Sequence, residues 1–345
     1  MLLISSLSAA WLIVEFLLSR ILSIDIFKDV GVYGLLAIIF ICAFISLLIA
    51  NLLHTNKQQT KESNKTDTET ELISAITKAY NSENWNEVVK IGSVLSRPLW
   101  VTGKYELRIK VGKMVAKSAS SSSHPFEQAQ ALIDDIGWTN HEIGNIKEAI
   151  KNIEHGVKIA SEFGFYGLKY KGNRHLSGIF LESDIVKARE YLGLNKSKDI
   201  INKFDNSLEK NIAIAGNLVN EAMILDKEQD FQRALDLYKE AFKIYENNKD
   251  NDRKVKLYYF IGNNLKSQTR FSEAEDSFRK GLEEAKREAR KDCTLKCLIG
   301  IASLKEIESL KSEAIKTYKK ALEIATEMGN KEKIEYINNK INNLK

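Results

Sequence analysis

The sequence predicts an all-α protein in which an N-terminal two-helix transmembrane hairpin precedes an α-solenoid. The 345 residues include only two prolines, Pro98 and Pro125, and many Ala, Glu, Lys and Leu residues, a composition typical of helices. The segment Val30–Leu53 is apolar and contains no charged residue, as a membrane-spanning helix requires. From residue 71 onward, similar helical patterns recur at intervals of about 40 residues, which indicates a helical-repeat protein.

Two segments within the first 53 residues have the composition of membrane helices. Val30–Leu53 provides 24 residues, and about 20 apolar residues suffice to span a bilayer. Met1–Leu18 is apolar except for Glu15. Because no Lys or Arg precedes Arg20, this segment lacks the basic start of a signal peptide. We therefore expect residues 1–53 to form a membrane module with two transmembrane helices.

Glu15 and the flanking charges bear on the role and orientation of this module. A carboxylate within a membrane span serves in a proton relay or pore lining, or else it reaches the interface, here near Arg20. After the second helix, Lys57, Lys61 and Lys65 outnumber the two basic residues of the loop between the helices. This asymmetry predicts a multi-pass protein of the cell (inner) membrane with both termini in the cytoplasm.

The soluble part is predicted to begin after a polar linker. Residues 54–70 contain no large apolar side chain and therefore cannot form a core. Residues 71–345 are then expected to form the solenoid, with about six helix pairs. Residues 331–345 read as a polar capping helix, which a repeat array needs at its open end.

The repeats are recognised by the helix that begins near Gly144. Its apolar or small residues follow in steps of three and four, which marks one face of an α-helix. Related helices occur at separations between 39 and 46 residues. Their equivalent central residues are Arg108, Ala149, Ala188, Ala234, Ala274 and Ala314. The Ala188 copy is the least regular of the six.

Paired small and aromatic residues relate these repeats to a known family. Gly137 and Gly262 lie midway along the helices that precede two of the copies, twelve residues before Ala149 and Ala274. An aromatic residue follows four positions after the central alanine in three copies, as Tyr238, Phe278 and Tyr318. The pattern resembles the tetratricopeptide repeat (TPR) family, in which small residues let two helices approach and the aromatic residue fills the space between hairpins.

The chain departs from the usual TPR pattern in length. Its period is nearer 40 than 34 residues, and the terminal proline of the motif is missing. The longer period is similar to that of the sensor arrays attached to bacterial signalling ATPases. The phosphate-binding sequence G-x-x-x-x-G-K-[ST] of such ATPases does not occur in this chain.

The sequence offers no constellation typical of catalysis. The five histidines do not form a metal-binding spacing, and the adjacent Asp134 and Asp135 are expected to face solvent. Cys293 and Cys297 lie on one side of a helix, but no other Cys or His is near them in sequence, so we expect packed thiols. We therefore predict a protein that is not an enzyme and has no cofactor and no metal site.

The TPR resemblance implies a ligand site in the concave groove formed by the first helix of each pair. On this face the helical phase places Asn173, Arg174, Ser177, Asn220, Lys256, Tyr259 and Asn263. In other TPR proteins, amide groups in the groove hold an extended backbone and cations hold carboxylates. Trp138 either lines this groove or packs in the core.

Two functions remain open at this point, and a third, a peptide-hormone sensor resembling soluble bacterial TPR regulators, is weakened by the predicted membrane anchor. The first is a membrane-anchored scaffold or adaptor of bacterial type that binds a protein or peptide at the cytoplasmic face. The alternative is a sensor-effector, in which the array detects a signal and the transmembrane hairpins oligomerise into a pore or disrupt the membrane in stress or phage defence. A homo-oligomer is expected for the second. The 51 basic and 46 acidic residues are nearly balanced, with no basic stretch interleaved with aromatics, so no nucleic-acid partner is expected.

Overall fold

The computed structural model describes residues 68–196, 203–204 and 207–345. The predicted membrane module with Glu15, and residues 54–67 of the predicted linker, lie outside the described residues. Residues 68–70, at the end of that linker, already belong to a helix. Of the helices that the structure describes, none combines the length and the apolar composition needed to cross a membrane.

Fourteen helices account for almost all of the described residues. The first seven are α1 (68–81), α2 (Trp85–Val101), α3 (Tyr105–Ser121), α4 (Pro125–Gln130, continuing through Ala131–Trp138 and Thr139–Glu142), α5 (Ile146–Glu162), α6 (Tyr166–Phe180) and α7 (Ile185–Lys196). The other seven are α8 (Ser207–Lys227), α9 (Phe231–Asn247), α10 (Asn251–Ser267), α11 (Phe271–Arg287), α12 (Lys291–Ile307), α13 (Lys311–Glu327) and α14 (Lys331–Leu344). Residues Ala75–Lys345 form one compact unit.

The connections between helices explain the long repeat. In most of them three residues separate the helices, and the middle one adopts a left-handed conformation, as at Ser123 (φ 60°) and Thr269 (φ 60°). The next backbone N–H then donates to the carbonyl five residues earlier, for example from Arg270 to Leu265 at 2.9 Å. This arrangement ends a helix abruptly. Two such connections and two 17-residue helices, as in α10 and α11, give the observed 40-residue repeat.

Small and aromatic residues hold neighbouring hairpins together, as the sequence predicted. The central alanines Ala149, Ala188, Ala234, Ala274 and Ala314 are all fully buried. The ring of Phe278 lies between the backbones of α10 and α12, where Gly262 and Gly300 make room for it. A Cβ atom added at either glycine would come within 2.5 or 2.6 Å of the ring. Only hydrogen in place of a side chain allows this approach.

The helix α4 departs from regular α-helical geometry. Its middle stretch, Ala131–Trp138, is π-helical, a wider form that is rare and often marks a functional region. Both carboxylates in this stretch turn inward: Asp135 is only 6% exposed, and Asp134 faces a cavity within the solenoid. The expectation that this pair faces solvent was wrong, because cations on α3 and α6 provide buried partners for both acids.

The solenoid closes on itself through apolar contacts between its two ends. Tyr105, at the start of α3, belongs to the same buried cluster as Leu295 and Ala302 of α12 and Tyr318 of α13. In the connection before α3, Gly103 lies against the side chain of Met328, which follows α13. The predicted concave groove is thus bounded at both ends by the chain itself.

Polar contacts reinforce the same closure. Lys296 of α12 forms an ion pair with Glu142 of α4 at 3.2 Å, and the Asn330 side chain donates to the Glu142 carbonyl at 3.3 Å. These partners are separated by 154 and 188 residues in sequence. Burial opposes ionisation of Glu142, but Lys296 nevertheless holds the pKa of this carboxyl below its usual value. We call this set of apolar and polar contacts the closing seam.

Candidate functional site

A central cavity of about 390 Å³, open to solvent, lies on the inner side of the solenoid. Its wall is formed mainly by α2, α4, α6 and α10, which are first helices of their pairs. Aromatic and ionisable side chains make up most of the lining: Arg97, Trp100, Arg108, Asp134, Trp138, Lys171, Arg174, His175, Tyr245, Asp252, Arg253, Lys256, Phe260 and Arg290. The cavity therefore combines seven Lys and Arg side chains with two carboxylates on its own surface.

Five of the seven cations are neutralised by neighbouring carboxylates. The ion pairs are Arg97–Asp252, Arg108–Asp135, Lys171–Asp134, Arg253–Asp250 and Arg290–Asp292. Arg290 is the most enclosed of these. Its guanidinium donates to both oxygens of Asp292 at 2.8 and 2.7 Å, and to the Asp252 carbonyl at 3.1 Å. Since Arg97 also reaches Asp252, this network joins α2, α10 and α12.

Arg174 and Lys256 are the exceptions. Within the described part of the chain, neither side chain has a carboxylate within ion-pair distance. The Lys256 ammonium lies 5.4 Å from the ring centre of Trp100, and the Arg108 guanidinium lies 4.9 Å from the same ring. Burial, and then the nearby Arg290, lower the pKa of Lys256. The cavity thus contains two cations that no described carboxylate contacts directly, although Asp292 acts on Lys256 from a greater distance and opposes the lowering of its pKa.

A second cluster is built around Asp134. Lys171 donates to one oxygen of this carboxylate at 2.6 Å, and His175 lies 3.4 Å from the other. The His175 ring stacks on Trp138, with ring centres 4.3 Å apart. Burial lowers the pKa of His175 to about 3, although the Asp134 carboxylate acts in the opposite direction. His175 is therefore neutral in the folded protein at physiological pH.

This shift predicts a pH-dependent stability. Between pH 6 and pH 4, unfolding lets His175 take up a proton that the folded state excludes, because its pKa rises from about 3 toward its ordinary value near 6.5. The contribution of His175 therefore lowers the free energy of unfolding as the pH falls, by up to about 1.4 kcal/mol per pH unit. Urea unfolding at several pH values should show a shallower dependence for His175→Gln than for wild type.

The matched control for this measurement is exposed His155. His155→Gln should leave the pH dependence of the wild type in place. If His175→Gln and wild type lose stability in parallel between pH 6 and pH 4, His175 is not held neutral by burial.

The structure brings together only part of the residue set that the sequence suggested. Arg174 and Lys256 both line the central cavity. Asn173, Ser177 and Asn220 are buried between helices. The side chain of Asn173 donates to Asn195 at 3.3 Å, that of Ser177 to the Ala188 carbonyl at 2.8 Å, and that of Asn220 to the Arg174 carbonyl at 2.8 Å.

The two remaining candidates lie further along α10. Tyr259 packs against Phe278 with ring centres 6.2 Å apart, and it borders a buried cluster together with Phe271. Neither Tyr259 nor Asn263 belongs to the lining of the central cavity. A role of these residues in binding stays a prediction.

Several cavity residues were missed because their partners are distant in sequence. Arg97, Arg253 and Arg290 lie near helix ends in three different repeats, and no local pattern relates them. One signal was present: Arg108 occupies the position that alanine holds in the other copies. A charge at a buried repeat position indicates a buried counter-charge, here Asp135 at 2.8 Å. Trp138, for which groove and core were both considered, lines the cavity.

The two cysteines of α12 are buried free thiols, as expected because no other Cys or His lies near them in sequence. Burial raises the pKa of Cys293 to about 12, so that the neutral thiol is favoured. Cys293 packs in a small cluster with Val255 and Ala285. Both side chains therefore serve the packing of the α10–α12 region.

Comparison with known proteins supports the fold. No protein-family model matches the chain. The solved structure of a Rap protein complexed with competence and sporulation factor is similar over 75% of each chain, with a TM-score of 0.53 and 13% sequence identity. A signal transduction ATPase with a tetratricopeptide repeat sensor, from Pyrococcus horikoshii, has a TM-score of 0.49 and 13% identity over 77% of this chain and 42% of its own.

A curated relative is similar in sequence. The transcription activator GutR of Bacillus subtilis is 23% identical over 226 residues, which is 63% of this chain. The chain spans about a quarter of that relative, since the aligned part is 26% of GutR. At these identities the comparisons bear on the fold. The described residues form an all-α, TPR-like solenoid, which confirms the helical-repeat architecture predicted from the sequence.

Proposed function

We propose that the chain is a scaffold or adaptor that binds an acidic segment of a protein or peptide in its central cavity. The observation that carries this proposal is the pair of cations without directly contacting carboxylates, Arg174 and Lys256, on the wall of one open cavity. Residues 1–53, with their 24-residue uncharged run, would hold this receptor at the cytoplasmic face of a membrane. Localisation of the bound partner is then the output.

The physical basis is the cost of desolvating charge. A cation removed from water is stabilised when an anion replaces the lost hydration, and charge-assisted hydrogen bonds are the strongest that side chains make. Within the described residues no carboxylate lies within ion-pair distance of Lys256, and burial lowers its pKa although Asp292 acts in the opposite direction. A carboxylate from a ligand would pair with Arg174 or Lys256 and favour the charged form of Lys256. The aromatic rings of Trp100 and Phe260 offer apolar contacts beside these charges.

The similarity to the Rap protein supports a binding function without fixing the ligand. That protein was solved in complex with competence and sporulation factor, so this type of helical array holds a factor in at least one case. The acidic character that we propose for the present ligand rests on Arg174 and Lys256 alone.

Partner capture with matched variants tests the proposal. We would purify the full chain from gently solubilised membranes of its host, as wild type, Arg174→Gln, Lys256→Met and the control Arg279→Gln, whose side chain is exposed on α11. A stoichiometric partner should remain with wild type and control. Loss of one charged contact of about 1.5–3 kcal/mol should weaken its retention by about ten- to a hundredfold in the two cavity variants.

Two results would count against the proposal. One is a partner retained equally by all four proteins, because the unpaired cations would then be irrelevant to binding. The other comes from a second experiment, in which an unrelated membrane anchor replaces residues 1–53. The proposal predicts that recruitment of the partner to membranes, and the cellular phenotype, are unchanged by this replacement. If recruitment persists but the cellular phenotype is lost, the membrane module acts as an effector rather than as an anchor.

A further inference from the structure

A second cavity, of about 560 Å³, opens beside the central one. The two share Gln130, Lys171, Arg174 and Arg253 in their linings, so Arg174 lies where they meet. The outer cavity has a different character, because one of its walls is aromatic. We call Phe126, Phe165 and Tyr170 of this wall the aromatic shelf.

Contacts within the protein hold the rings of the aromatic shelf in place. Phe126 begins α4, and Phe165 lies in the connection before α6. Their rings meet edge to face with centres 5.3 Å apart. The Tyr170 hydroxyl donates to the Ala213 carbonyl of α8, which fixes this ring at the base of the wall. Although supported in this way, Phe126 remains 44% exposed. The shelf thus presents the partly uncovered rings of Phe126 and Phe165 to the cavity, whereas the ring of Tyr170 is buried.

The positions of these residues along α6 give the distance between the aromatic shelf and the charged side chain of Arg174. Tyr170 and Arg174 are one helical turn apart, and Phe165 precedes Arg174 by nine residues. At 1.5 Å per residue, the backbone positions of Phe165 and Arg174 are separated by about 13 Å along the axis of α6. An extended peptide covers the same distance in about four residues. Residues four apart in an extended chain also point to the same side.

We propose that the aromatic shelf binds an aromatic side chain located four residues from the carboxylate that pairs with Arg174. This inference rests on the proposed function, because it uses the same acidic segment, and it adds a specificity element. Arg174 would pair with the carboxylate of the ligand, and the aromatic shelf would contact its aromatic side chain at a separate point. The preferred ligand is then an extended segment of the type Phe-X-X-X-Asp, or the same pair in reverse order.

The test uses defined peptide pools and the full-length protein in detergent. Four pools are blocked at both ends and mixed at the three central positions: Phe-X-X-X-Asp, Ala-X-X-X-Asp, Phe-X-X-X-Asn and Ala-X-X-X-Asn, each also made in reverse order. Binding is measured by equilibrium dialysis with mass-spectrometric detection. In one of the two orders, the Phe/Asp pool should bind about tenfold more than the Ala/Asp pool, the gain expected from burying the open part of an aromatic ring.

Variants locate the effect. Phe126→Ala should abolish the preference for phenylalanine over alanine while leaving the preference for aspartate over asparagine. Arg174→Gln should abolish the preference for aspartate. The control Leu310→Ala, at a side chain of similar exposure (40%) in the connection before α13, should change neither.

The outcomes separate the two claims. Equal binding of Phe/Asp and Ala/Asp pools, with both above their asparagine counterparts, overturns the aromatic shelf and leaves the acidic-ligand proposal in place. Equal binding of aspartate and asparagine pools overturns the proposed function and the inference with it. A preference for phenylalanine that survives Phe126→Ala shows that the aromatic side chain binds elsewhere, which also overturns this inference.

Discussion

Replacing Phe278 with alanine is expected to lower the free energy of unfolding by about 3–5 kcal/mol, the range for aromatic truncation in a packed core. The side chain is fully buried and packs with Leu265 and Leu304 as well as against Gly262 and Gly300. Those two glycines belong to the helices on either side of α11. Removing the ring would therefore leave a cavity between two consecutive hairpins, where the backbone is least able to move inward.

Hydrogen exchange and urea unfolding together check this prediction. In a repeat protein the loss is expected to concentrate in neighbouring repeats, so amides of α10–α12 should exchange faster while those of α5 change little. Phe163→Ala, at an exposed ring, is the control and should cost less than about 1 kcal/mol. A loss of less than about 1 kcal/mol for Phe278→Ala would mean that the hairpins do not depend on this ring.

The Arg290→Met variant is expected to lose about 3–5 kcal/mol, because it leaves a buried carboxylate without its partner. Burial opposes ionisation of Asp292, but its two hydrogen bonds from Arg290 hold its pKa well below the usual range. The variant also removes the contact of Arg290 with Asp252, which links the network to Arg97 on α2. Chemical unfolding at pH 7 measures the loss, and Arg287→Met, at an exposed ion pair on α11, should cost no more than about 1 kcal/mol.

The pH dependence gives this prediction a definite sign. In wild type the lowered pKa of Asp292 contributes stability above the unfolded-state value near 3.8, and that contribution is lost as the pH falls through the folded-state value. In Arg290→Met, burial without the guanidinium is expected to raise the pKa of Asp292. Protonation of this carboxylate at lower pH then removes the buried charge and recovers part of the lost stability of the variant. The difference in stability between the two proteins should therefore be smaller at pH 4 than at pH 7. If the difference in stability between wild type and Arg290→Met grows toward low pH, Asp292 is not a buried, unpaired carboxylate in the variant.

The repeat architecture could be predicted from the sequence because each of its causes is local. The three- and four-residue spacing of apolar positions defines helices without reference to the rest of the chain. Buried alanines such as Ala234 and aromatic residues such as Tyr238 lie at fixed positions within one hairpin, and the structure confirms that they pack there. The polar helix at residues 331–345 was visible for the same reason, and it forms α14.

The candidate site could be predicted only in part, since helical phase gives a face but not the neighbours of that face. Arg174 and Lys256 line the central cavity, whereas Asn173 and Asn220, predicted on the same face, form hydrogen bonds between helices. Short amides on closely packed helices reach a polar group of the neighbouring helix, a side chain for Asn173 and a backbone carbonyl for Asn220, before they reach a ligand. The longer Arg and Lys side chains extend beyond that layer into the cavity.

The sequence by itself predicted a helical array of repeats of about 40 residues with small and aromatic residues at the hairpin contacts, and the described residues form such an array. Only the tertiary structure decided that the array closes, because closure depends on the sum of the small rotations between successive repeats. No single repeat contains that sum. Closure joins residues as distant as Glu142 and Lys296, 154 positions apart. The arrangement of the repeats in the closed array also determines which charged side chains lie close together. In the described cavity it leaves Arg174 and Lys256 without carboxylate partners. Repeat packing is a nearest-neighbour property, whereas the site is a property of the closed whole.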